Sequence, residues 1–348
     1  MNRAVAVARK TVVASRLARA IALGSTAAVA LTMTAPSAQA LTINTYTSGF
    51  TSAELALIGN AVNFYQTTFS DAITVNIGLQ AVTDALGESQ SYVYLDSYAN
   101  YRAKLAADAT SLDDATAVAS LPGSASGGIT PGVTMKLATA RAVGFNPGAG
   151  GASSGLFCSA IAGLPSLVDA CIGIGTSATS TTPFTTGKYY FLTVLEHEMD
   201  EVLGTGSDLT GGGTIFTGQM AVEDLFRYNA PGSREFAIHA CDASYHGPAG
   251  YLSLDGGTTN LANYNNCTNG GDYGDYTYLD SPAQVQDAFG TTGGGLSLNS
   301  SSTEIRDLDA LGYTRAVVAT PEPASLVLLA TGFLGIAGVA ARRKVQAK

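Results

Sequence analysis

His197, Glu198 and Glu201 stand close together in "YYFLTVLEHEMDEVLGTGSDL" (189–209), and their types and spacing suit metal chemistry. On a helix, residues four apart share a face, so His197 and Glu201 project together and can reach one ion. Glu198 sits one step round, close enough to hold a metal-bound water without being a ligand itself. Leu195, Met199 and Val202 form a separate apolar stripe that would pack this helix into a core, and Gly204 supplies its end. The plainer reading is an acidic helix carrying a structural His–carboxylate pair.

Such a helix needs a scaffold, and the sequence supplies one of mixed type. Ser52 to Gln66 places Leu55, Ile58, Val62 and Tyr65 at helical spacing, and Thr51 with Glu54 fits a capping box. Ala72 to Leu79 alternates and is rich in β-branched residues, which predicts a strand. "SYVYLDSYANYRAKLAADA" reads as a strand end followed by a helix. "GVTMKLATARAVGF" (132–145) reads as a further strand, at a sheet edge that could pair with an extended peptide over Val133 to Val143. Residues 146–187 are rich in Gly, Ser and Thr and are expected to be loop with a disulfide-stapled insertion. Beyond Gly204 the sequence is dominated by Gly, Asn, Tyr and Asp, which predicts short elements and many turns.

The ends of the chain read as targeting segments. Residues 1–40 hold five basic and no acidic residues, an apolar run and the small-residue sequence "SAQA", the layout of a signal peptide cut after Ala40. Pro321-Glu322-Pro323 precedes an apolar stretch closed by Arg342, Arg343 and Lys344, which resembles the PEP-CTERM sorting signal. That resemblance implies recognition by an exosortase-type enzyme and a sorting tail that is removed. A permanent membrane span is the simpler alternative. Residues 41–320 carry 9 basic and 26 acidic residues, a balance that excludes nucleic acid and anionic membrane surfaces as partners. Four cysteines lie in the exported part, where disulfides persist, and proximity favours Cys158 with Cys171 and Cys241 with Cys267.

"EHEMDEVLG", "DLFRYNAPG", "YLSLDGGTTNLANYN", "GGDYGDY" and "LDALGY", with "FSDAITVNIGL" nearer the start, together resemble a family of PEP-CTERM-bearing bacterial metalloproteases related to the zincins, whose active helix carries H-E-x-x-E. The resemblance implies an α+β, zincin-like fold: a mixed twisted sheet, an active-site helix and a loop-rich C-terminal lobe. It divides the chain into a signal peptide (1–40), an N-terminal lobe with the active helix (41–204), a C-terminal lobe (205–315), and a linker with the sorting tail (316–348). It also implies a secreted zinc endopeptidase, with manganese or iron as other metals, in which Glu198 is the general base and His197 and Glu201 are ligands. Compared with the metzincin pattern, Glu201 replaces the second histidine and Ser207 stands at the third-ligand position.

A catalytic zinc takes three protein ligands, so one remains to be found. Asp224 and Glu223, in "MAVEDLFRY", follow Glu201 at an interval like that of zincins with an acidic third ligand. Asp224 is preferred, with a salt bridge to Arg227 as its competing role. His239 and His246 are the remaining histidines and weaker candidates. Asp255, Asp272 and Asp275 lie in Gly-rich turns that calcium could occupy, without the EF-hand spacing. Tyr228 or another downstream tyrosine is a candidate to stabilise an oxyanion. The expected substrate is a polypeptide, in an extracellular polysaccharide context. The competing class is a non-catalytic surface or matrix-binding protein on the same scaffold.

Overall fold

In the computed structural model, which describes residues 41–210, 218–238, 250–277 and 282–316, the chain opens with strand β1 (Thr42–Ser48) and helix α1 (Ser52–Thr68). The capping box is present. Thr51 N–H donates to Glu54 Oε2 at 2.7 Å, and Glu54 N–H donates to the Thr51 hydroxyl. The buried face of α1 runs through Ile58, Ala61 and Tyr65, while Leu55 is exposed, so the apolar stripe is rotated from the expected one.

Strands β2 (Thr74–Val82), β3 (Gly87–Ser91) and β4 (Val93–Ser97) follow, then helices α2 (Tyr98–Asp108) and α3 (Leu112–Ser120). The expected long strand at 132–145 divides into β5 (Gly132–Lys136) and helix α4 (Leu137–Ala142), because the Leu-Ala-Thr-Ala-Arg-Ala run favours helix over strand. β5 is also central, not an edge: it lies between β4 and a later short strand at Met220–Ala221.

The segment 146–187 contains more order than its composition predicts. A ribbon of β6 (Gly151–Ala152) and β7 (Leu167–Val168) leads into β8 (Ala170–Gly175), and β9 (Thr179–Ser180) pairs with β10 (Tyr189–Tyr190). β8 is entirely buried and sits inside the main sheet, whose order is β1-β2-β8-β3. A strand covered on both faces need not alternate. Its glycines also fit their neighbours: Gly173 faces the Glu88 side chain and Gly175 faces the Ala85 carbonyl. The disulfide Cys158–Cys171 fastens the insertion onto β8, as proximity favoured. Cys267 is disulfide-bonded as well, while its expected partner Cys241 lies outside the described residues.

Helix α5 (Phe191–Leu203) carries the HEMDE residues. After it come β11 (Met220–Ala221), a 3₁₀ turn (Glu223–Phe226), and an antiparallel sheet ordered β13-β12-β14-β15 from Arg227–Ala230 (β12), Ser233–Arg234 (β13), Tyr251–Leu252 (β14) and Ala262–Asn263 (β15). Helix α6 (Thr303–Leu311) closes the domain. The architecture is α+β with several small sheets, in one compact unit.

One core joins β1, β2, β8, α1 and α5; the other joins α2, β5, the 3₁₀ turn, and Tyr264 and Tyr276. The second core draws on residues 98–143 as well as 220–276, so the cores do not follow a single cut in the chain. α6 contributes to both, through Ile305 and Leu308 on one side and Ala310 and Leu311 on the other.

Candidate metal centre

Helix α5 buries Leu195, Met199 and Val202 as the stripe predicts, with Phe191 and Leu203 beside them. Its inner polar residues are held by neighbours: the Tyr65 hydroxyl donates to Asp200 Oδ1 at 2.8 Å, and Glu196 Oε2 accepts Leu298 N–H at 2.8 Å. Gly204 ends the helix, but for room and not for a left-handed conformation. Its φ is −179°, and a Cβ there would lie 2.9 Å from Thr139 Oγ1 and 3.1 Å from Leu308 Cδ2. With the helix fixed on this side, His197 and Glu201 face a cleft of about 320 Å³.

The cleft is strongly negative. Glu88, Glu198, Glu201, Asp272, Asp275 and Asp287 line it together with His197, and among the described residues no Lys or Arg does. His197 Nε2 lies 3.8 Å from Glu201 Oε1 and 3.6 Å from Asp275 Oδ1, and one ligand atom from each of these three residues falls within 4.8 Å of the others. On the far side of the ring, His197 Nδ1 lies 3.1 Å from the Val285 carbonyl. A carbonyl only accepts, so Nδ1 carries a proton, and it is the second proton, on Nε2 facing the two carboxylates, that a metal ion would displace. Burial alone would lower the basicity of His197; Asp275, Glu198 and Glu201 outweigh it and raise the imidazole to about 10. The site attracts positive charge, and a histidine nitrogen with two carboxylates is a donor set that suits a transition-metal dication.

Both carboxylates are oriented from outside the cluster. Ser89, on β3, donates its hydroxyl to Glu201 Oε2 at 2.5 Å. Gln286 Nε2 donates to Asp275 Oδ1 at 3.0 Å. Burial first, and then repulsion from Glu201, raises the Asp275 carboxyl to about 7 despite the lowering effect of His197. Glu198 is buried beneath β3, its Oε1 against Gly87 so closely that a Cβ there would collide with it. Burial, then Glu201, pushes the Glu198 carboxyl well above the usual range. The four residues thus form a compact set in which Glu198 lies beside the His197–Glu201–Asp275 cluster, not inside it.

The structure does not bring Asp224 to this cluster, a correction to the expected third ligand. Asp224 Oδ1 accepts the Ser207 hydroxyl at 2.7 Å and Arg227 Nε–H at 3.3 Å, and Oδ2 accepts Asp208 N–H. Ser207, at the position where the metzincin pattern has its third ligand, is thereby spent on Asp224. Glu223 accepts Gly206 N–H in the same turn and is also outside the cluster. His239 and His246 lie outside the described residues. Tyr228 packs under the Arg234 guanidinium at 4.5 Å and does not line the cleft. Asp255 is satisfied by Ser253 and Thr259 within its own turn, whereas Asp272 and Asp275 enter the cleft. Asp275 comes from "GGDYGDY", 74 residues after Glu201, a separation that no helical spacing announces.

Comparison with known protein families matches the PEP-CTERM protein-sorting motif over residues 319–344. The chain is therefore an exported protein with a C-terminal sorting tail, of the kind an exosortase-type enzyme recognises. No curated protein and no solved structure matches it.

Proposed function

We propose that this exported protein is a metal-dependent hydrolase of peptide bonds, with His197, Glu201 and Asp275 as ligands and Glu198 as general base on a zincin-like scaffold. The observation that carries this reading is the convergence of the three donor atoms beside a buried Glu198, under the free side of β3. A zinc ion bound there would polarise a carbonyl and lower the pKa of its water. Glu198, held against Gly87, would take the proton from that water and deliver it to the leaving amine. The Val285 carbonyl keeps His197 in the ligating tautomer, while Ser89 and Gln286 fix the carboxylates.

β3 is antiparallel to β8 and pairs with no other described strand, so its outer side offers backbone groups to an extended peptide along the cleft. This role falls to β3 and not to the segment at Val133, which is flanked by strands. Six lining carboxylates disfavour phosphate esters and anionic glycans as substrates and accommodate neutral or basic peptides. The test is metal content per chain beside hydrolysis of an unfolded protein. Stoichiometric metal with hydrolysis supports the reading. Metal-free protein without hydrolysis replaces it with the non-catalytic surface protein.

A further inference from the structure

A second group of acids is buried away from the cleft, where the turn after α5 meets α6. Asp307 is fully buried, and neither of its carboxyl oxygens has a hydrogen-bond donor. Glu223 is buried too; its Oε2 accepts Gly206 N–H, and its Oε1 has no donor. The hydroxyls of Thr205, Tyr264 and Tyr276 are buried without partners in the same way. Packing brings these elements together: Gly204 lies against Leu308 and Leu311 of α6, Gly206 N–H reaches Glu223, and Tyr264 and Tyr276, whose rings pack 5.9 Å apart, share one core with Leu225, Phe226, Ala310 and Leu311.

Buried polar atoms are ordinarily paired, and a phenol touching a carboxylate would donate to it. Here acceptors and potential donors stand near one another unpaired, which is the arrangement left when something between them is missing. The nearby cation does not fill that role. Arg227 stacks on Tyr264 at 3.7 Å, and its guanidinium is committed to Asp224, Asn266 and the Tyr273 carbonyl.

We propose that Glu223 and Asp307 hold a calcium ion, with the Thr205 hydroxyl as a further oxygen ligand and Tyr264 and Tyr276 at its edge. Two carboxylates supply the charge of one dication, and the all-oxygen, irregular donor set suits calcium better than zinc or octahedral magnesium. The ion ties the Thr205–Gly206 turn, the Glu223–Phe226 turn and helix α6 together. It therefore braces the C-terminal end of the helix that carries His197 and Glu201. The site shares no ligand with the cleft and does not rest on the hydrolase reading.

The experiment uses the exported chain, stripped with EDTA, with zinc then restored so that the cleft is filled. Calcium should raise the melting temperature by about 5 °C or more at saturation. Asp307→Asn should fold in EDTA at least as stably as the wild type, because it removes a buried carboxyl that has no donor, and should show no calcium shift. Terbium gives a direct readout, since the chain has no Trp and Tyr264 and Tyr276 would sensitise its emission. Emission that calcium displaces, that His197→Ala retains and that Asp307→Asn or Glu223→Gln abolishes supports the site. No calcium shift and no emission, or emission that survives in both carboxylate variants, overturns it.

Discussion

Ser89 on β3 donates to Glu201 on α5 at 2.5 Å, so the strand that would receive a substrate also orients a ligand of the candidate metal. Outer partners of this kind fix ligand geometry, and their removal typically costs about 10- to 100-fold in metal affinity. Ser89→Ala is expected to weaken zinc binding by that order while the fold is kept. Titration with a metal-ion indicator measures the loss, and raising zinc should restore bound metal. Unchanged affinity would reduce the Ser89 bond to sheet packing.

Glu198 is expected to fail differently from the ligands. Glu198→Gln keeps the size and most of the polarity under β3 but cannot accept a proton. Metal should remain bound while hydrolysis of an unfolded protein falls by about 10²- to 10⁴-fold. Glu201→Ala should lose metal and activity together. Full activity in Glu198→Gln would remove it as the base.

Gly87 has no left-handed φ, and its requirement is space for Glu198. Gly87→Ala should therefore behave as a displaced-base variant: the fold and bound metal persist, and hydrolysis falls by an amount comparable to Glu198→Gln. Comparison of metal content and activity in Gly87→Ala with Gly59→Ala, where the added methyl meets nothing within 4 Å, separates this from a general helix or strand effect.

Two carboxyls far from the cleft give a pH dependence. Burial raises Asp71 and Asp309 from their usual range to about 7, Asp71 with Thr314 N–H and Asp108 facing it, Asp309 with Ser111, Asp113, Asp114 and Arg315. A carboxyl with a raised folded pKa contributes stability that is full below its unfolded value, about 4, and is lost as pH rises through about 7. Melting in EDTA should occur at a higher temperature at pH 5 than at pH 8. Asp309→Asn, which keeps an acceptor for Ser111, should flatten that difference, and an undiminished slope would assign it to other groups.

Local rules made much of this legible. The α1 capping box, the stripe on α5 and the Cys158–Cys171 loop each depend on residues a few positions apart, where spacing alone decides. β8 was not legible, because "ACIGIG" is covered on both faces and filled with glycine, so it lacks the alternation that marks a half-exposed strand. Val133 to Lys136 showed strand character but not its place in the sheet, since the pairing with Met220 and Ala221 is long-range. Within the site, His197, Glu198 and Glu201 share one helix and could be found together. Asp275 could not, because a turn with no periodicity delivers it.

The third ligand is the sharpest point of difference between sequence and structure, and paired variants decide it. Asp275 Oδ1 lies 3.6 Å from His197 Nε2, whereas Asp224 spends its oxygens on Ser207, Asp208 and Arg227. Asp275→Ala should therefore lower zinc affinity and activity together, and the variant should still fold, because it relieves repulsion among Asp275, Glu201 and Asp272. Asp224→Ala should do the opposite: it strips Arg227, fully buried, of its carboxylate, and breaking a buried pair from one side costs about 3–5 kcal/mol. The measurements are zinc per folded chain and melting temperature for each variant. Asp275→Ala with wild-type zinc affinity, or Asp224→Ala with intact stability and lost zinc, would return the ligand role to Asp224.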